Sequence, residues 1–115
     1  MISGAHFLLY SKDPDADRAF LRDVLGFTHV DAGHGWLIFA LPPSEIAVHP
    51  AEQNSCVLYL MCDDVNAEIA KLQAKNVRCA PVDEVRWGRK TTFNLPGGGE
   101  VGLYQPSHPT AIGLK

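Results

Sequence analysis

Apolar residues follow two rhythms along this chain, and each rhythm occurs twice. Residues 5–10, AHFLLY, form a short apolar run that predicts a strand. Asp13-Pro14 then supplies a capping carboxylate followed by proline at the first helical position. Ala16, Phe20 and Val24 recur at intervals of four, with Leu21 and Leu25 beside them, and Gly26 ends the predicted helix. Three strands are predicted next, at 27–31 (FTHVD), 35–41 (GWLIFAL) and 44–50 (SEIAVHP), with HG and PPS as turns.

From residue 55 the same order returns. SCVLYLMC (55–62) predicts a strand, and Asp63-Asp64 can cap a helix carrying Val65, Ile69 and Leu72, with Asn76 as terminator. RCAPV (78–82), RKTTFNL (89–95) and GEVGLYQP (99–106) predict three more strands. Asp13 and Asp64 each lie seven residues after His6 and Val57, and SEIAVHP aligns with GEVGLYQP, pairing Glu45 with Glu100 and Ala47 with Gly102. The repeat predicts an α+β fold of two tandem βαβββ modules. Module one spans 1–50 and module two 55–106, with a short linker at 51–54 and a tail at 107–115, all in a single domain 1–115.

Composition narrows the function classes. At 115 residues there is room for one core, and 46% hydrophobic with 20% charged residues is ordinary for a soluble globular chain. No apolar run is long enough to span a bilayer and no leader pattern opens the chain, so the expected setting is cytoplasmic, with no membrane partner. A net charge of -3 argues against nucleic acid. The one basic cluster, Arg86, Arg89 and Lys90 around Trp87, reads as a solvated strand end ahead of an anion patch. Three cysteines without a CxxC spacing argue against a disulfide framework or zinc knuckle. No glycine-rich loop opens a helix and no nucleophile elbow is present, which sets aside phosphate-cradle and hydrolase readings.

The stretches AHFLLYSKDPDADRAFLRDVLGF and WGRKTTFNLPGGGEVGLYQP carry a resemblance over nearly the whole chain, from His6 to Pro106. The chain resembles the vicinal oxygen chelate superfamily: glyoxalase I, bleomycin-resistance proteins, fosfomycin-resistance enzymes and extradiol dioxygenases. The resemblance implies a curved mixed-sheet cup with helices outside, completed in many members by a second copy, hence an expected homodimer. It also implies metal ligands on the first and last strand of each module in metal-dependent members. Those positions fall at His6, Ala47, Val57 (Cys56 if the register slips by one) and Gly102. His6 alone keeps the family's ligand, so no metal or other cofactor is expected. LPGGG also replaces the family's usual turn before the last strand.

Alternation along each strand then sorts the cup. His6 and Tyr10 share its face with Tyr59 and Met61, while Glu45 and His49, and Glu100, Gly102 and Tyr104, line the same side from the closing strands. Gly102 is read as space left for a ligand. The structural readings stand beside this: His6 as a hydrogen-bonded remnant, the glutamates as solvated strand ends, the tyrosines as wall, and Trp36 and Trp87 as packing groups. The favoured function is a metal-free binding protein of the glyoxalase/bleomycin-resistance type, holding a small planar or aromatic molecule. The alternatives are a metal-dependent lyase, isomerase, dioxygenase or thiol transferase with a non-standard ligand set that includes His6, and a member acting through protein contacts.

Overall fold

The computed structural model describes residues 6–45, 47 and 49–112. In chain order it contains α1 (Pro14–Asp23), β1 (His29–Asp31), β2 (Leu37–Phe39), β3 (Tyr59–Met61), α2 (Val65–Ala74), β4 (Asp83–Val85), β5 (Gly88–Asn94) and β6 (Glu100–Pro106). This is the α+β class the pattern predicts, with two helices and two open sheets.

Both helices start at the expected carboxylates. Asp13 accepts a hydrogen bond from the Ala16 amide and Asp64 from the Ala67 amide, each at 3.2 Å, satisfying donors that the first helical turn leaves free. Asn76, at φ 64°, turns the chain out of α2, and the Val77 amide closes back onto Leu72 O at 3.0 Å.

The larger sheet has the order β3-β6-β5-β4, with β6 parallel to β3 and antiparallel to β5. Its two faces follow from the period-two alternation. One face buries Phe93, Val101 and Leu103, which pack with Leu95 against Val65, Leu72 and Val77. Helix α1 closes the same core through Phe20, whose ring stacks on Phe93 at 6.0 Å. Two polar ties fix α1 in place. Buried Asp17 accepts from the Gly97 amide at 2.7 Å, and the Lys75 ammonium donates to Val24 O at 3.0 Å, where the helix carbonyls end. Gly97 is required at that turn, because a Cβ there would overlap the Ser11 hydroxyl and the Asp17 carboxylate.

The first half departs from the predicted strands. Residues 6–10 lie in no strand and are exposed, and Ala5 is outside the described residues. No described residue of the predicted strand 44–50 is in a strand either, and Ile46 and Val48 lie outside the described residues. Among the described residues of this half, pairing is confined to β1 and β2, with Val30 opposite Ile38. An apolar alternating run specifies a face but not a partner, and a strand exists only where a second backbone completes its ladder. The second half shows the same limit at its edges. The predicted 55–62 strand contracts to Tyr59–Met61, the part facing Gly102–Tyr104, and 78–82 is reduced to one bridge, Cys79 to Phe93, ahead of β4.

Candidate functional site

Pairing register decides which side chains share the face away from the helices. Tyr59 lies opposite Gly102 and Met61 opposite Tyr104 across the parallel pair, while Thr92 and Lys90 stand opposite Gly102 and Tyr104 on the other side. The expected grouping of Tyr59, Met61, Gly102 and Tyr104 on one side of the sheet therefore follows from the ladder.

An aromatic cluster dominates this face. The rings of Tyr59 and Tyr104 meet edge to face at 5.6 Å, those of Tyr59 and Trp87 at 5.6 Å, and those of Trp87 and Tyr104 at 5.0 Å. Such edge-on contacts add about 0.5–1.5 kcal/mol each beyond area burial. Lys90 holds its ammonium 5.9 Å from the Trp87 ring centroid, near the outer limit of a cation–π contact. The Tyr104 hydroxyl is pushed above the ordinary tyrosine range by burial, with smaller contributions from Glu45 and Tyr59, so it stays a protonated donor at neutral pH.

Gly102 does not leave the expected space. A Cβ there would fall within 2.9 Å of Tyr59 Cγ and closer still to Cδ1 and Cε1. The glycine is vacant because the Tyr59 ring lies flat on its backbone. This is a steric requirement for close approach, with no hollow behind it.

The remaining predicted residues are dispersed. His6 and Tyr10 are exposed in a segment that lies in no strand, and Tyr10 keeps 92% of its surface. His49 and Glu100 are exposed as well. Glu45 is half-buried, and its carboxylate accepts from the Ala111 amide at 2.8 Å. His108, which no sequence pattern marks, also belongs to the face: its ring stacks on Tyr104 at 5.9 Å and 25°, with Nε2 3.0 Å from the tyrosine hydroxyl. Trp87, expected first as a packing group, belongs to the same face through its contacts with Tyr59 and Tyr104. Trp36 lies elsewhere, with Arg18 stacked over it at 4.7 Å, beside a cleft of about 370 Å³ lined by Asp15, Arg18, Arg22 and Asp31. Internal bonds already engage those charges: Arg18 with Asp15 at 3.1 Å, Arg22 with Asp23 at 2.7 Å, and Asp31 with the Gly33 amide at 2.7 Å.

No family model matches the chain. The uncharacterised protein YaeR of Escherichia coli strain K12 is 28% identical over 124 residues, covering 87% of this chain and 93% of its own. Among solved structures, TnmS3, an antibiotic binding protein from Streptomyces sp. CB03234, is 29% identical with a TM-score of 0.69, covering 92% of this chain and 98% of its own. A glyoxalase/bleomycin resistance protein from the same organism is 27% identical with a TM-score of 0.58, covering 83% and 93%. These neighbours are proteins of the vicinal oxygen chelate superfamily, and the chain shares their fold. The resemblance places the ligand positions of metal-dependent members at His6, Ala47, Val57 (Cys56 if the register slips by one) and Gly102, and Ala47, Val57 and Gly102 carry no donor side chain. At Gly102 the position is also covered by the Tyr59 ring. Among the described residues no three His, Cys, Asp or Glu side chains converge as a ligand set.

Proposed function

We propose that this protein binds a small planar or aromatic molecule, without a metal ion, on the face built by Tyr59, Trp87 and Tyr104. The observation that carries the reading is the cluster itself: three edge-on rings on the sheet face opposite the helices. Such a face offers flat apolar contact with one fixed polar handle, the Tyr104 hydroxyl. Similarity to TnmS3, an antibiotic binding protein, supports a binding role over catalysis. Met61 and Lys90 flank the cluster in register, and the expected contributions of His6, Tyr10, Glu45 and His49 require the first half to close over it.

A second copy is the proposed means of closure. Phe7, Leu8, Leu9 and Tyr10 are 42%, 63%, 44% and 92% exposed, and Val30 and Trp36 are 65% and 64% exposed, more apolar surface than a lone domain leaves open. The radius of gyration is 15.0 Å, against about 13 Å for a compact chain of this length. A two-stranded sheet is marginal alone, and β3 has one neighbour, so unpaired strand edges remain on both sheets. Three free cysteines agree with a reducing, cytoplasmic setting.

Calorimetric titration with a panel of planar aromatics tests the reading. Binding that is lost in Tyr59→Ala supports it. No binding across the panel, together with one equivalent of transition metal by elemental analysis, refutes it. Light scattering that gives a monomer at micromolar concentration removes the dimer.

A further inference from the structure

The segment Ser107–Ile112 leaves β6 and folds back across the aromatic face as a strap. At its start the Ser107 amide donates to Trp87 O at 3.0 Å. Further along, the Ala111 amide donates to the Glu45 carboxylate at 2.8 Å. Between these ties His108 lies over Tyr104.

The imidazole's hydrogen bonds identify its tautomer. His108 Nδ1 is 2.8 Å from Pro109 O, and a carbonyl oxygen only accepts, so Nδ1 carries the proton. In the neutral ring Nε2 is then the acceptor, and the Tyr104 hydroxyl donates to it across 3.0 Å. Tyr59 and Trp87 present their rings to Tyr104 edge-on, at 85° and 83°, whereas His108 lies nearly parallel, at 25°. A small flat heteroaromatic ring would make the same two contacts: a parallel stack on Tyr104 and an acceptor atom for its hydroxyl.

The strap is also loosely held. Ser107, Pro109, Thr110 and Ala111 are exposed, and no strap residue belongs to the buried core. Segments with few buried contacts open at low cost.

We propose that His108 is an internal placeholder for the ligand. A flat heteroaromatic bearing a ring nitrogen or carbonyl acceptor displaces the His108 ring from Tyr104, and the strap lifts off Glu45 to admit it. The proposal rests on the binding reading above and names the ligand class for the same face.

Quinoline, with naphthalene as a ring of the same shape lacking the acceptor, provides the probe pair. Titrations on wild type, His108→Ala, His108→Phe and Tyr104→Phe are combined with amide hydrogen exchange at Ala111. Removing the competing ring in His108→Ala should tighten quinoline binding by about tenfold, the worth of one stacked contact plus one hydrogen bond. His108→Phe, which keeps a stacking ring, should tighten it less. Quinoline should bind better than naphthalene to wild type, and Tyr104→Phe should abolish that preference. Saturating quinoline should speed Ala111 exchange, because the strap leaves Glu45. If quinoline binds but slows Ala111 exchange, or binds more weakly to His108→Ala, the strap is a wall of the site and the placeholder is refuted while the binding reading survives. If neither probe binds any variant, both fall together.

Discussion

The strongest test of the aromatic face is Gly102→Ala. Its Cβ would overlap Tyr59 Cδ1 and Cε1, so the ring must move. It has little room to retreat, since it is held edge-on at 5.6 Å by both Trp87 and Tyr104. Forcing one methyl into such packing costs about 1–3 kcal/mol. The reduced freedom of the unfolded chain returns about 0.4–1 kcal/mol, which leaves a net loss on the order of 1–2 kcal/mol. At about 4–8 °C per kcal/mol for a domain near this size, the melting temperature should fall by roughly 5–15 °C. The assay is a pair of thermal and urea melts followed by circular dichroism, repeated in a Tyr59→Ala background. If the ring is the obstacle, the double variant should be more stable than the sum of the single losses, by about 0.5–3 kcal/mol of coupling. A Gly102→Ala protein that melts with wild type, or strict additivity with Tyr59→Ala, would mean that the ring does not rest on Gly102. The account of the aromatic face would then fail.

Four further outcomes follow from the packing. Asp17→Ala should cost about 1–3 kcal/mol in urea melts, because it leaves the Gly97 amide without its 2.7 Å acceptor in a partly buried site; a loss under a few tenths would refute the tie between α1 and the glycine turn. Asp64→Ala removes the α2 cap and should cost about 1 kcal/mol by the same measurement. Burial, aided by Glu68 and Asp63, pushes the Cys62 thiol up to about 11, so iodoacetamide followed by mass spectrometry should label exposed Cys56 well before Cys62 at neutral pH. Cys62 also sets a pH trend: between its ordinary value of 9.0 and about 11 the unfolded thiol releases its proton while the folded one keeps it. Stability should therefore fall as pH rises through that window, and a Cys62→Ser protein should show a shallower slope in pH-dependent melts.

What was legible in the sequence was whatever depends on near neighbours. The caps at Asp13 and Asp64 could be read because a cap is a bond across three residues, and the structure makes both. The side of the sheet occupied by Tyr59, Met61 and Tyr104 was legible because alternation survives any choice of partner. Pairing was not legible. AHFLLY has the composition of a strand, yet its exposed residues 6–10 find no ladder among the described residues, because strand formation is decided by a distant backbone. Gly102 shows the same division more sharply. The sequence could say that a side chain is missing, but an absent side chain is equally an opening for a ligand or a seat for a neighbouring ring. Only the register, which sets Tyr59 opposite Gly102, decides between them. That seat matters for the site, because a flat ring resting on a glycine is held at a fixed height above the sheet. Tyr59 fixes the edge that Tyr104 packs against, and Tyr104 in turn presents its free plane to His108. His108 itself was invisible to pattern, since it follows a strand end with no periodicity of its own. The residue that stands where a ligand would stack is thus the one whose position depends most on contacts made elsewhere, at Glu45 and Trp87.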